Sequence, residues 1–173
     1  YENKYKGIIN LDTTLFDFTK NIKMGIAHTR YTTSTKYING KQNAIQPLKK
    51  YINTDLTYLV HNGNIINIKT HDTYYLFNLI NKYFGTFEEK LKYLMDNVPA
   101  AYCLILIHND CMYIVRDRFG IRPLCIGETK NSWFISSESC ALPINSYWRD
   151  VKPGEIIKIS ENKLETIYQH PHS

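Results

Sequence analysis

The sequence contains few cysteines, and none is spaced for metal binding. Its four cysteines form no C-x-x-C pair, the spacing typical of zinc sites and of thioredoxin-like redox motifs. Three of them, Cys103, Cys111 and Cys125, lie in apolar runs, where a reduced cysteine acts as a small hydrophobic side chain. The pattern predicts a protein without a metal or other cofactor, and reduced cysteines favour the cytoplasm as its compartment.

Long hydrophobic runs and low-complexity linkers are also missing. No apolar stretch approaches the roughly 20 residues that a helix needs to cross a bilayer, so we predict no membrane association. No internal repeat and no Pro/Gly-rich segment divides the chain, and we expect one domain over residues 1–173. Charged residues make up 21% of the sequence against 43% apolar residues, which favours a folded core over disorder.

The basic charge of the chain is not concentrated in one place. The formal net charge is +5, but the lysines are scattered, and Lys49-Lys50 is the nearest approach to a basic patch. A surface that follows a phosphate backbone usually carries a denser basic stripe. Nucleic-acid binding is therefore permitted but not indicated, and we predict no nucleic-acid partner.

Apolar periodicity predicts an α+β chain with strands at both ends and two helices between them. The first helix is predicted from Asp72 to Phe84, and the second begins with a Thr86–Glu89 capping box and is ended by Pro99. Residues 32–50 are predicted to form a long polar loop. Sheets packed on each other, with helices outside, are the expected architecture. Strands are predicted over 6–10, 24–31, 56–61, 101–107, 111–116, 123–127, 132–136, 155–159 and 164–168.

Two polar stretches close apolar strands where a plain sheet would stay apolar. The first is HTRYTT at 28–33, where Arg30 offers a planar fork of donors that matches a carboxylate, or is an ordinary surface arginine. The second is HNGN at 61–64. An Asn side-chain amide beside a Gly backbone N–H can form an oxyanion hole, whereas Asn-Gly is also the commonest two-residue hairpin turn. Each pattern alone favours the structural interpretation.

Three further polar features are explained by local structure. Asp72 opens a helix, where its carboxylate can cap the helix or pair with a ligand ammonium. The stretch RDRFGIRPL at 116–124 has alternating charges about a glycine and a proline, and we interpret it as a salt-bridged turn. VKPGE at 151–155 contains a Pro-Gly pair that predicts a type II turn.

In order along the chain, these segments resemble one family. GIAHTRYTT, QPL, HNGN, the helix-opening Asp72, RDRFGIRPL, SSESCAL and RDVKPGEI resemble the glutaminase domain of amidophosphoribosyltransferases, class II glutamine amidotransferases, from about residue 24 to 159. The resemblance implies an N-terminal-nucleophile hydrolase fold, which is a four-layer αββα sandwich of two antiparallel sheets. It also implies a function: hydrolysis of L-glutamine to glutamate and ammonia for a synthase domain or chain, as in purine biosynthesis. A homo-oligomer is left open.

The resemblance assigns a role to each residue of the site. Arg30, helped by Thr33, would hold the α-carboxylate of glutamine, and Asp72 would hold its α-ammonium. Asn62 and Gly63 would donate hydrogen bonds to the oxyanion as the amide carbon becomes tetrahedral. Because each of these residues ends a strand or opens a helix, we expect them to converge on one pocket.

The nucleophile of the family is a cysteine at the mature N-terminus, with its own α-amine as the base. In the family this cysteine, its strand and the helix that follows come before the segment that Lys6-Gly7 resembles. We therefore expect residues 1–173 to lack that first strand and helix, to lack a phosphoribosyltransferase half, and not to hydrolyse glutamine by themselves. The alternative from another class is a catalytically inactive relative that binds glutamine or acts as a scaffold.

Overall fold

The computed structural model describes residues 22–29, 45–68, 71–161 and 163–172. Within these ranges the chain forms two α-helices and two antiparallel sheets. The larger sheet has six strands in the order β1-β2-β3-β4-β8-β9, and the smaller has three in the order β6-β5-β7. The strands are β1 Leu48–Ile52, β2 Asp55–Asn64, β3 Ala101–His108, β4 Cys111–Arg116, β5 Cys125–Thr129, β6 Ser132–Ser136, β7 Tyr147–Asp150, β8 Glu155–Ser160 and β9 Lys163–Gln169.

One face of the six-stranded sheet carries both helices. Helix α1 runs over Asp72–Lys82 and helix α2 over Phe87–Asn97. Alternate residues of the central strands point to this face, and they form one buried cluster with the apolar sides of the helices. The cluster includes Leu59, Leu76, Phe77, Ile80, Leu91, Leu94, Met95, Leu104, Leu106, Val115 and Ile156.

The other face of the same sheet packs against the smaller sheet. Met112, Ile114 and Ile157 meet Leu124 and Ile126 in a second buried cluster. The described residues thus contain a helix layer, a six-stranded sheet and a three-stranded sheet, stacked in that order. This arrangement confirms the predicted α+β class and its sandwich of two antiparallel sheets.

Both predicted helices and most of the predicted strands are present, with bounds that differ by a few residues. The capping box is confirmed: Thr86 Oγ1 accepts from the N–H of Glu89 at 3.3 Å, and Glu89 Oε2 accepts from the N–H of Thr86 at 2.7 Å. The Pro-Gly turn is also confirmed, because Gly154 has a φ of 69° and the N–H of Glu155 donates to Lys152 O at 3.1 Å.

Three predictions of secondary structure were wrong. Residues 24–29 of the predicted strand 24–31 carry no regular structure, and its last two residues lie outside the described ranges, as does the strand predicted at 6–10. The loop predicted over 32–50 ends early, because β1 begins at Leu48 and pairs with Leu59 in β2. The third error is strand β7, which the sequence did not predict. It is only four residues long and mostly exposed, so it has little apolar pattern.

The RDRFGIRPL turn is held by hydrogen bonds to the backbone rather than by ion pairs within it. Asp117 is fully buried, and its carboxylate accepts from the N–H groups of Tyr102 at 3.2 Å, Phe119 at 2.8 Å and Gly120 at 3.0 Å. Arg116 donates instead to the carbonyls of Gly120, Arg122 and Val151. The structural role predicted for the turn is confirmed, whereas its salt bridges are not seen among the turn residues that the structure describes.

Replacing the buried acceptor Asp117 should destabilise the fold. In Asp117→Asn, the new NH₂ group faces a backbone N–H, so one buried donor loses its acceptor. We expect the free energy of unfolding to fall by about 1–3 kcal/mol, measured by denaturant titration. The control is Asp110→Asn, an exposed turn residue with a φ of 56° that asparagine tolerates. Its effect should stay within about 0.5 kcal/mol, and equal effects of the two substitutions would contradict this account of the turn.

Candidate functional site

Asn62 and Gly63 lie inside strand β2 and not in a turn. The strand continues to Asn64, and its pairing with β3 places Asn62 opposite Cys103 and Gly63 opposite Tyr102. The hairpin turn that the Asn-Gly pair favours is therefore wrong. Longer-range pairing with β3 decides the conformation of these residues, and a local turn signal cannot include it.

The two residues point to opposite faces of the sheet. Asn62 shares its face with Cys103, whose side chain packs in the cluster between the two sheets, and Asn62 is itself exposed. Gly63 shares the helix-side face with Tyr102, which is fully buried. The side-chain amide of Asn62, on the inter-sheet side, thus lies next to the backbone of Gly63, which has no side chain.

Gly63 is glycine because no other side chain fits. A Cβ atom built there would lie 2.7 Å from both His61 Nε2 and Tyr102 Cα, and it would also collide with Ala101 O. The φ of Gly63 is not positive, so the requirement is a close approach of β3 and not a left-handed backbone.

His61, the residue before Asn62, is buried, and both its backbone N–H and its backbone C=O are hydrogen-bonded to one side chain. The side chain of Gln46 accepts from His61 N at 2.5 Å with its Oε1 and donates to His61 O at 3.1 Å with its Nε2. A primary amide carries the same donor and acceptor as a peptide group. Gln46 therefore extends the β1–β2 ladder by its side chain, at the position where the register of β1 would continue.

The imidazole of His61 connects the strand to the start of helix α1. Its Nδ1 lies 3.2 Å from Thr73 Oγ1 and 3.9 Å from Asp72 Oδ1. Asp72 Oδ1 also accepts from the N–H of Thr73 at 2.9 Å and lies 3.2 Å from His71 Nδ1. The helix N-terminus and the end of strand β2 thus meet at one buried histidine.

Burial keeps His61 neutral. Removal from water lowers the pKa of its imidazole from 6.5 to about 4, the Asp72 carboxylate opposes that shift, and the cationic forms of His71, His28 and Arg122 add to it. His61 Nε2 has no hydrogen-bond partner among the described residues. A proton there would place an unsatisfied charge inside the fold.

The structure describes three of the five residues predicted for the site. Asn62 and Gly63 are adjacent in β2, and Asp72 reaches that strand at His61. Asp72 is the first residue of helix α1, as predicted. It does not occupy the N-cap position, which belongs to His71. Arg30 and Thr33 lie outside the described residues, although His28 is close enough to affect the pKa of His61.

Sequence reasoning missed the supporting residues His61, Gln46 and Thr73. The first two stand inside the HNGN and QPL segments that carry the resemblance, so their position was a signal. Their contacts span 15 residues between Gln46 and His61 and 12 between His61 and Thr73, and no local pattern predicts them.

Cys103 lies directly opposite Asn62 but has the properties of a core residue. Burial, reinforced by the nearby Asp117 carboxylate, raises the pKa of its thiol to about 12. Its Sγ lies 3.6 Å from Arg122 O and 3.7 Å from Pro123 O, and the side chain is 4% exposed. A protonated, enclosed thiol is a poor nucleophile.

Two kinds of site or segment are not found in the described ranges. There, no group of three or more His, Cys, Asp and Glu side chains could hold a metal ion. No helix in those ranges combines the length and apolar character needed to cross a bilayer.

Comparisons with known proteins identify similar sequences and a similar fold. A family model described as "Glutamine amidotransferase domain" matches residues 68–143. The amidophosphoribosyltransferase of Rattus norvegicus is 32% identical over 87% of this chain, and that of Mus musculus is 31% identical over 99% of it. The structure of glutamine phosphoribosylpyrophosphate (PRPP) amidotransferase from B. subtilis, complexed with ADP and GMP, matches 83% of the chain with a TM-score of 0.70 and 27% identity.

This chain belongs to the class II glutamine amidotransferases. It is homologous to the glutaminase domain of amidophosphoribosyltransferases, as its motifs implied. The chain spans 36% of the length of the rat protein and 40% of the mouse protein, and 34% of the B. subtilis chain. Each of these relatives is therefore longer than the region that this chain matches.

A methyl group at Gly63 should disrupt the amidotransferase domain at its candidate site. Gly63→Ala forces the backbones of β2 and β3 apart, and overpacking of this kind costs about 1–3 kcal/mol. The control is Gly25→Ala, because a Cβ at Gly25 meets nothing within 4 Å. Thermal unfolding should show a clear loss for Gly63→Ala and none for Gly25→Ala; equal unfolding temperatures would contradict the close approach.

The stability of the domain should depend on pH through His61. Between pH 4 and 6.5 the unfolded chain protonates His61 while the folded chain does not, so stability falls as the pH falls through this window. At about 1.4 kcal/mol for each pKa unit, the effect reaches about 3 kcal/mol. Denaturant titrations from pH 4 to 7 should show a weaker pH dependence in His61→Asn than in the wild type. Some pH dependence should remain in the variant, because the pKa of His108 is also lowered by burial. Parallel curves would contradict the buried neutral imidazole.

Proposed function

We propose that this domain hydrolyses the side-chain amide of L-glutamine and delivers the ammonia to a synthase. One observation carries the proposal: the Asn62-Gly63 pair is fixed in a paired strand, with the Asn side chain on the inter-sheet side and no room for a side chain at Gly63. Membership in the glutamine amidotransferase family supports the choice of substrate.

The chemistry of the pair is that of an oxyanion hole. When a nucleophile attacks the amide carbon, the carbonyl oxygen gains negative charge, and two donors aimed at that oxygen stabilise the tetrahedral intermediate. The Asn62 side-chain amide and the Gly63 N–H supply these donors from adjacent residues of one strand. Collapse of the intermediate releases ammonia and leaves an acyl-enzyme, which water then cleaves to glutamate.

The two ends of the amino acid require opposite charges. In this proposal Arg30, with Thr33, binds the α-carboxylate, and Asp72 binds the α-ammonium. Asp72 is suited to this role because its side chain is 22% exposed and its Oδ1 is oriented by a hydrogen bond from the N–H of Thr73. The N-terminus of α1 adds a partial positive charge, which favours an acidic side chain at this position.

The nucleophile is proposed to be the N-terminal cysteine that the family uses. Cys103 and Cys125 are excluded by burial, which raises the pKa of both thiols. Cys111 lies at the start of β4, whereas the β4 residue that pairs with Cys103 is Arg116, at the end of the strand. Cys140 is exposed in the short 3-10 helix Ser139–Ala141. Neither is paired with the strand residues that carry the oxyanion donors.

The acceptor of the ammonia is proposed to be a synthase domain or chain of the amidophosphoribosyltransferase kind, acting in purine biosynthesis in the cytoplasm. Support comes from the rat and mouse relatives, which bear that name and are more than twice as long as the matched region.

The test measures glutamate and ammonia release by the natural protein that contains this chain. Asn62→Ala should lower kcat about 10²–10³-fold, the cost of removing one oxyanion donor. Cys103→Ala removes the thiol that β3 places opposite Asn62 and should leave kcat unchanged. Residues 1–173 alone should release no glutamate at an enzymatic rate.

The alternatives give different results. Activity lost in Cys103→Ala but kept in Asn62→Ala would assign the nucleophile to Cys103 and overturn the proposed site. A natural protein that binds glutamine but releases no glutamate would instead be a binding or scaffold relative.

A further inference from the structure

Two buried histidines lie on the helix-side face of the six-stranded sheet, and each contacts a buried threonine. His61 Nδ1 lies 3.2 Å from Thr73 Oγ1, and His108 Nδ1 lies 2.7 Å from Thr57 Oγ1. The exposed fractions are 4% for His61 and 6% for His108, and 0% for both threonines. The pairs are similar in chemistry and burial but differ in position.

Only the first pair is next to the candidate site. His61 precedes Asn62 in β2, and its Nε2 lies 2.7 Å from the place where a Cβ of Gly63 would be. Thr57, the partner of His108, is four residues earlier in β2, about 13 Å away at the rise of an extended strand. The Thr57–His108 pair lies near Asp55 and is stacked on Phe87, far from the oxyanion donors.

His61 is also the residue through which the two halves of the site touch. Its peptide is held by Gln46, its ring lies against Gly63, and its Nδ1 meets the threonine that follows Asp72. A change in the position of the ring must therefore move the strand that carries the oxyanion donors, the helix end that carries Asp72, or both.

We propose that His61 is a positioning residue of the glutaminase site: its imidazole, wedged between Gly63 and Thr73, sets the spacing between the oxyanion strand and the ammonium-binding carboxylate of Asp72. This inference rests on the proposed function. His61 touches no reacting atom. It acts by fixing two groups that do, and misplacing catalytic groups by about 1 Å can lower a rate about 10²-fold.

The neutral form of the ring suits this position. The titratable and charged groups near the ring are Asp72, His71, His28 and Arg122, and burial outweighs the attraction of the carboxylate. A neutral spacer leaves the negative charge of Asp72 available to the ammonium of a substrate, whereas an imidazolium would compensate that charge.

The experiment compares the two histidine–threonine pairs in the natural protein. His61→Asn and Thr73→Val should each lower kcat by roughly 10- to 100-fold and raise KM for glutamine, because oxyanion donors and Asp72 are displaced together. His108→Asn and Thr57→Val are the matched controls. They should lower the unfolding temperature by a similar amount and leave kcat and KM within about twofold. Glutamate release is measured at a temperature where circular dichroism shows every variant to be folded.

Each result decides a different point. If the wild type releases glutamate and the His61 and Thr73 variants behave like their controls, the positioning role is wrong and the proposed function stands. If Thr73→Val fails to fold while Thr57→Val folds, the contact serves stability and the proposal is overturned. A wild type without glutaminase activity would overturn both the function and this inference.

Discussion

The close approach of β2 and β3 at Gly63 is the constraint on which the rest of the site depends. Antiparallel pairing runs on to Asn64 opposite Ala101, and it leaves no room for a Cβ atom at position 63. Because the backbone is held in the ladder, the side chain of Asn62 must point to the inter-sheet face. The pairing that builds the central sheet thus also fixes the direction of an amide donor, and a strand holds such a group more rigidly than a loop.

Side chains replace backbone partners on both sides of this close approach. Gln46 satisfies the N–H and C=O of His61 where β1 has not yet begun, and Asp117 accepts from the N–H of Tyr102, the residue opposite Gly63. Buried backbone groups need partners, and here the ordinary ladder does not supply them. The same two side chains therefore complete the hydrogen bonding of the fold and immobilise the residues around the candidate site.

Sequence patterns predicted the parts of this domain that depend on neighbours close in the chain. Both helices, the Thr86–Glu89 box and the β3–β4 hairpin have signals a few residues long, and all are present. The conformation of Asn62-Gly63 depends instead on β3, about 40 residues later, so the local turn signal was misleading. Strand β1 was not recognised within the predicted polar loop because only its two end residues are buried, and the three between them are two lysines and a tyrosine. The ordered motifs, taken together, predicted the family where no single motif did.

The state of Cys103 gives a physical reason why the proposed nucleophile is not a cysteine of the sheets. Cys103 is paired with Asn62 in the β2–β3 ladder, so it lies close to the proposed oxyanion donors. The same packing that brings it there buries the thiol, raises its pKa to about 12 and turns its Sγ toward two carbonyl oxygens. Any cysteine contributed by the core of this sandwich would meet the same desolvation. A thiolate near neutral pH is favoured by partial exposure to water and by a neighbouring base or positive charge, and a chain terminus with its own α-amine supplies both.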